Sequence, residues 1–466
     1  MKTSVALLLP LSFLLSACTL GPNYVRPETP TAAAFPEATP GGEAVGERWW
    51  QGFGDAQLNA FVEQALAANV DIRVAAGRME EAAAGLADVS GAQLPQIDGS
   101  AGTAKSKVSD NGYTPISATN GRSRTVYRAG LATSFELDFW GKLRRATEAA
   151  RAQLLATSEA RAQVELAVAA SVVRTYALAQ SAAVQQRSAE ELVAIRTEER
   201  RIVGFRFDVG SANAADRALA EVNLSAAVAT LSDARRARAS AEHLLGFLVG
   251  RPDLVLPAQA SSALLLPPPP AAGLPSDLLR RRPDVLAAEQ SLIAANARIG
   301  FVKAAYFPTF ALTGALGNEG RDFSQLFTAS SATTNLGVDM RVPLFDFGRT
   351  TARVEGTVAV QHQAVANYEK AVLNAFREVR DALSDVRETI ESARSAELRE
   401  ASAQEAFRVA EARQAAGQLP LADHLLARRL LAESKVAVAR VRSDRIGAQV
   451  DLIKALGGAR VETAAK

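Results

Sequence analysis

Apolar residues recur at alternating steps of four and three along Val372, Phe376, Val379, Leu383, Val386, Ile390 and Ala393. That is the seam of a coiled coil. The opposite positions carry Arg377, Glu378, Arg380, Asp381, Asp385, Arg387 and Glu388, a solvated charged face. An earlier helical stretch runs from Leu143 to about Val203 without a proline. Roughly 60 residues make a helix of roughly 90 Å at 1.5 Å per residue. Such a helix needs partners along its length, so coiled-coil packing is expected. Elsewhere the period drops to two. Leu336, Val338, Met340, Val342 and Leu344 alternate with Asn335, Gly337, Asp339 and Arg341. Tyr127, Leu131, Phe135 and Leu137 do so with Arg124, Arg128, Ser134 and Glu136. Strands are predicted over about 96–107, 124–137, 309–317 and 335–345.

Prolines punctuate these elements. Pro22, Pro27, Pro30, Pro36 and Pro40 make an extended tether, and the run from Pro257 through Pro267–Pro270 to Pro275 is a linker. The halves on either side are two copies of one module. Asp71 and Pro95 return as Asp284 and Pro308 at an offset of 213, with Ala75, Ala82, Ala84, Val89 and Ala92 matched without a gap. Gly210, Asp216 and Gly250 return as Gly417, Asp423 and Gly457 at an offset of 207. The resulting division is 1–17 leader, 18–54 tether, 55–251 first repeat, 252–275 linker, 276–458 second repeat and 459–466 tail.

The leader has Lys2 before a short apolar run from Val5 to Leu15, the form of a secretory signal. It ends Leu15-Ser16-Ala17-Cys18, which resembles a bacterial lipobox. Acylation of Cys18 would hold the chain on a membrane through two or more acyl chains. Thr19 follows where an inner-membrane retention signal would place Asp, which favours the outer membrane. Beyond Cys18 no run approaches the length of an apolar membrane span, so further membrane contact is expected through strands or the interface.

Composition narrows the chemistry. Of 466 residues, 52 are Lys or Arg and 50 are Asp or Glu, so the net charge of +2 offers no basic footprint for nucleic acid. Three His and one Cys leave little for a metal site. His243, His362 and His424 lie on helical stretches without ligand spacing and read as structural. No nucleophile elbow and no phosphate-binding loop occurs, so no enzyme and no energy source is expected. The only added group is the lipid on Cys18. Arg280, Arg281 and Arg282 read as the polar lead-in to a helix that starts near Pro283.

Each predicted strand has the length of a tilted membrane strand, and aromatics gather at the strand–helix junctions: Phe139, Trp140, Tyr306, Phe307, Phe345 and Phe347. A small soluble sheet is the alternative. Four strands cannot close a barrel, and an open edge in lipid leaves backbone groups unsatisfied. Several chains must therefore contribute. Three chains give about twelve strands, enough to leave a lumen.

The chain resembles the outer-membrane factor (TolC-like) family, in its lipoprotein branch. The likeness rests on Cys18-Thr19-Leu20-Gly21-Pro22-Asn23-Tyr24 with Arg26-Pro27, and on Trp49-Trp50 with Phe53 and Asp55. It continues in Phe135 to Lys142, in Arg281-Arg282-Pro283-Asp284 through Phe307-Pro308, and in Val342 to Arg349. The resemblance implies a mostly α protein with a long coiled-coil α-barrel and four strands per chain, closed as a twelve-stranded membrane β-barrel in a homotrimer. It also implies a passive duct for small molecules across the outer membrane, fed by an inner-membrane RND-type pump through a periplasmic adaptor. A protein-secretion (type I) duct and a pore-less lipid-anchored periplasmic scaffold are the alternatives.

In that frame Leu336, Val338, Met340 and Val342 face lipid, while Asn335, Asp339 and Arg341 face the lumen. Residues 109–123 and 318–334 become extracellular loops. The helical hairpins turn at Gly204–Asn213 and Gly417–Pro420, at the periplasmic mouth. Asp216 and Asp423 would ring the aperture there, with Arg217, Arg413 and Arg428 close enough in sequence to pair with them and hold a closed state. Solvated surface carboxylates are the other reading of both Asp.

Overall fold

The computed structural model describes residues 19–28, 35, 45–109, 123–257, 264–271 and 275–458. Cys18 and the leader lie outside them, as does most of the expected loop 109–123. In chain order the elements are α1 (Ala56–Ala68), α2 (Val70–Gly91), β1 (Gln96–Lys107), β2 (Ser123–Glu136), α3 (Lys142–Asp208) and α4 (Ala214–Val249). Then come α5 (Pro275–Arg281), α6 (Pro283–Lys303), β3 (Thr309–Gly320), β4 (Ala332–Arg341), α7 (Arg349–Ala415) and α8 (Leu421–Ala455).

The duplication governs where elements begin. Val70 and Pro283, and Gln96 and Thr309, open equivalent elements at the 213 offset. Lys142 and Arg349, and Ala214 and Leu421, do so at 207. The six-residue difference therefore falls inside the two strand hairpins. Both long helices stop on a left-handed glycine, Gly210 (φ 74°) and Gly417 (φ 70°). Ser211 donates back to the Arg206 carbonyl at 2.7 Å and Gln418 to that of Arg413 at 2.8 Å, the same six-to-one closure in each copy.

By contacts the chain forms two compact units that cut across the repeats. Of the described residues, one takes those of 19–28, 78–157 and 288–368; the other takes those of 29–77, 158–287 and 369–458. Each draws on both copies because α3 and α7, 67 residues long, each supply residues to both.

The second unit is helical. Its core gathers Trp50 and Phe53 of a short helical turn, Trp49–Phe53, and Leu58, Phe61 and Val62 of α1 against Val168 to Tyr176 of α3. Leu245 and Val249 of α4 and Ile446 and Val450 of α8 close it. One window of α3 is apolar and long enough to cross a membrane by composition, but 61% of it is buried in the fold. The expected seam of α7 is present: Val372, Val379, Leu383, Val386 and Ala393 are buried, and Phe376 and Ile390 pack beside them. A seam that periodicity did not reveal runs along α4 as Ala220, Ala227, Ala234 and Ala241, all buried at a spacing of seven. Its methyl side chains give little hydropathy contrast, which hides the repeat.

The first unit carries the sheet, an antiparallel meander in the order β1-β2-β3-β4. Two boundaries differ from expectation. β3 continues to Gly320, because Asn318, Glu319 and Gly320 pair with Ala129, Arg128 and Tyr127 rather than turning. β4 starts at Ala332 and ends at Arg341, so the expected loop 318–334 contracts to 321–331. Val342 lies one residue past the strand. Its ladder stops where Arg341 pairs with Thr309, since the preceding Pro308 has no N–H to donate.

Candidate functional site

In an antiparallel pair, residues opposite one another share a face, so the register sorts the sheet into two surfaces. One holds Ile97, Leu131, Phe135, Phe310, Leu312, Leu316, Leu336, Val338 and Met340. Its apolar side chains are not covered: Leu336 is 82% exposed, Val338 66% and Met340 62%. The other holds Asp98, Arg124, Arg128, Glu136, Glu319, Asp339 and Arg341. Of the nine charged residues in the strands only Lys105 and Lys107 share the apolar face, both at the loop end of β1. The polar face is also internally bonded. Arg128 pairs with Glu319 directly opposite at 2.7 Å, Arg124 donates to Ser106, and Thr313 donates to Asp339 at 3.3 Å.

Aromatics mark both ends of the strands. At the helix end Phe139 meets Phe310 edge-on at 5.3 Å, Trp140 lies 4.8 Å from Phe307, and Phe345 meets Phe347 at 5.0 Å. The Trp140 indole donates to the Pro308 carbonyl at 2.7 Å. At the loop end Tyr127 meets Phe323 at 5.9 Å. Twelve residues of β3 span about 40 Å along the strand at 3.3 Å each, and about 30 Å once tilted as barrel strands are.

Proline spacing predicts an extended tether, and its described residues 19–28 form a strap stitched to the same unit. Leu20 donates to the Trp140 carbonyl at 3.1 Å, which ties the strap to the junction between β2 and α3. Arg145, buried at 4% exposure, gives its guanidinium to the Leu20 carbonyl (3.1 Å) and to Asn23 (2.8 Å). Asn296 donates to the Pro22 carbonyl at 2.9 Å. Glu289, 6% exposed, accepts the Tyr24 hydroxyl at 3.0 Å and both arms of Arg26. Burial and the Glu289 charge push the Tyr24 hydroxyl above its ordinary range. Sequence reasoning missed Arg145, Glu289 and Asn296 because their partners lie 122 to 274 residues away. The available signal was polar residues at a buried helical phase.

At the turns the structure separates the residues expected to act together. Asp216 accepts from the Asn213 N–H at 3.0 Å while Asn213 caps the Asp216 N–H at 2.9 Å, a reciprocal capping box that starts α4. Arg217 lies over the Phe207 ring at 5.4 Å. Arg428 reaches Glu191 on α3 at 2.8 Å rather than Asp423. Asp423 occupies the first turn of α8 behind Pro420, which supplies no side-chain cap. The Arg413 carbonyl takes part in the turn through Gln418. Within one chain, then, these cations do not meet the two Asp. Arg282 immediately precedes α6, which starts at Pro283 with Asp284 in its first turn as read from the sequence, but it is not a solvated lead-in. It is 5% exposed and binds Asp284 and Glu378 at 2.6 Å each and the Ala455 carbonyl at 2.8 Å. Among the described residues no group of three or more His, Cys, Asp or Glu is placed to hold a metal ion.

Comparison with known proteins places this arrangement. Residues 61–251 and 274–458 match the family described as outer membrane efflux protein. The cation efflux system protein CusC of Escherichia coli K12 is 31% identical over 361 residues, 76% of this chain and 77% of that one. The toluene efflux pump outer membrane protein TtgC of Pseudomonas putida is 31% identical over 459 residues, 96% of this chain and 94% of that one. Among solved structures, the CmeC outer membrane channel of Campylobacter jejuni superposes with a TM-score of 0.87 at 26% identity, over 96% of each chain.

Proposed function

We propose how the chain works from one premise: it belongs to the outer membrane efflux protein family and is the outer-membrane channel component of an efflux system. The observation that carries the mechanism is the sorting of the sheet, with seven of nine strand charges on one face and an uncovered apolar face behind it. Lipid takes the apolar face, including Leu336, Val338 and Met340, and water takes the face of Asn335, Asp339 and Arg341. Unpaired edges remain on β1 and β4. Closure requires the β4 edge of one copy to meet the β1 edge of the next, because backbone groups in lipid have no other partner. Three copies make a homotrimer with a twelve-stranded barrel and an open lumen. The chain acts as a passive duct. Its substrate arrives from an inner-membrane RND-type pump through a periplasmic adaptor.

The fatty-acylated Cys18 anchors each chain one residue before the strap. The repeat division 55–251 and 276–458, with the linker between, supplies two similar helical hairpins per chain and so six turns per trimer. The turns carrying Asp216 and Asp423 form the closing end of the duct. The carboxylates gather cations there while Arg217, Arg413 and Arg428 brace the helices or cross to neighbouring copies. Cargo class is not written in the duct: CusC and TtgC, named for cation and toluene efflux, both match this chain at 31% identity.

Purified protein reconstituted in planar bilayers tests the duct. Discrete single-channel conductance from a trimeric species is expected. Its absence, with the trimer intact, would overturn the duct and leave a lipid-anchored scaffold.

A further inference from the structure

An open groove of 750 Å³ lies in the first unit, among α2, α3, α6 and α7. Its floor is apolar, with Phe301, Val302 and Val360 on it and Gly356 leaving one wall without a side chain. Two cations, Arg298 and Arg353, stand on it and no carboxylate lines it. Among the described residues neither guanidinium has an ion-pair partner, although arginines elsewhere on α3, α4 and α7 pair with carboxylates one turn away. What sets Arg298 and Arg353 apart is that both line one apolar groove.

The side of the wall on which the groove opens follows from helical phase. Glu289, Asn296 and Gly300 hold the strap on one face of α6. Arg298 and Val302 come two positions after Asn296 and Gly300, about 200° around the helix. Strap and groove therefore occupy opposite faces of α6. With the proposed anchor at Cys18 the strap lies on the bilayer side, so the groove faces the interior of the duct.

We propose that this groove is a binding site for anionic amphiphiles in transit: an apolar body lies on Phe301, Val302 and Val360, and its acidic group meets Arg298 and Arg353. The volume lies within the range of small-molecule sites. Two guanidinium groups without competing carboxylates favour a carboxylate or sulfonate ligand through charge-assisted hydrogen bonds. A trimer repeats the groove three times around one lumen, which raises the local concentration of such anions. The inference rests on the duct reading.

The test is block of single-channel current by cholate, an anionic amphiphile, against dodecyltrimethylammonium, a cationic one. Cholate is expected to block the native channel, and the double variant Arg298→Gln with Arg353→Gln to weaken that block about tenfold while conducting normally. Gly356→Leu fills the groove without altering charge and should weaken block similarly. The thiol of Val360→Cys, in a chain whose only other Cys is Cys18, should react with water-soluble reagents in the trimer. Equal block of native and double-variant channels, stronger block by the cation, or a Val360→Cys thiol shielded by a neighbouring copy would each overturn the site. Loss of all conductance in the native protein would instead strike the duct reading.

Discussion

Gly21 crosses α6 at Gly300 so closely that a Cβ on Gly21 would lie 2.5 Å from the Gly300 Cα. Gly21 also holds φ at 91°, where side chains are strained. A Cβ on Gly300 would strike the Leu20 carbonyl and come within 2.9 Å of the Arg145 Cγ. Neither neighbour can yield without giving up the Arg145 hydrogen bonds to the strap. Gly300→Ala should therefore destabilise the first unit by about 1–3 kcal/mol through overpacking. It should also expose residues 19–28 to limited proteolysis. A native cleavage pattern would show that the strap tolerates the added methyl.

The Tyr24 clamp carries a pH dependence. In the fold, burial and the Glu289 carboxylate raise the Tyr24 hydroxyl above its ordinary range, so the neutral form is favoured. The unfolded chain ionises near a free tyrosine's pKa of about 10. The stabilisation is thus complete below about pH 10 and falls away as pH climbs beyond it. Tyr176, which donates to Asp55 at 3.0 Å, and Tyr368 are raised for the same first cause, burial. Of the six tyrosines, fewer should ionise at about pH 11 in native protein than in denaturant, as tyrosinate absorbance reads directly. Tyr24→Phe should remove one resistant group. Identical titrations of native and denatured protein would remove the basis of the clamp.

How much of this is legible in the sequence depends on distance along the chain. The helices and strands announce themselves through local periodicity, and the duplication aligns their starts. Alternation carries the predicted strand through Val342, but it does not report that the partner strand has ended at a proline. Residue type places Gly320 in a loop, yet it pairs with Tyr127. The strap contacts and the burial of Arg282 join residues far apart in sequence through polar groups. Such groups leave no hydrophobic period to read.

Sheet sidedness can be tested one residue apart. Val338→Arg puts a charge on the apolar face and should cost about 2–4 kcal/mol near the bilayer midplane. Gly337→Arg puts the same charge on the polar face, where an added Cβ meets only the Thr313 hydroxyl at 3.1 Å. Outer-membrane levels of folded trimer should drop for the first variant and hold for the second. Equal levels would argue that both faces see the same solvent.

The proposed anchoring turns on one atom, the Cys18 sulfur. Cys18→Ser should yield a chain that lacks the lipid mass and retains its leader, while the strap contacts of residues 20–26 remain available. Intact-mass spectrometry decides it: a variant with the same mass and membrane partitioning as native protein would exclude acylation at this position.

The two aspartates at the turns can be told apart because only Asp216 closes a capping box. Asp216 accepts from the Asn213 N–H in the capping box, so Asp216→Ala should weaken the start of α4 by about 1 kcal/mol whether or not it gates. Asp423 makes no such cap behind Pro420, and its contribution to stability is limited to its place near the helix N-terminus, about 0.3–1 kcal/mol. A change in conductance on Asp423→Ala therefore reports the mouth of the duct rather than helix stability. Arg428→Ala frees Glu191 of α3 from α8 and should loosen the contact between the two hairpins, raising closed-state current. If the double variant Asp216→Ala with Asp423→Ala keeps both closed-state current and cation selectivity, these carboxylates are solvated surface groups and the constriction lies elsewhere.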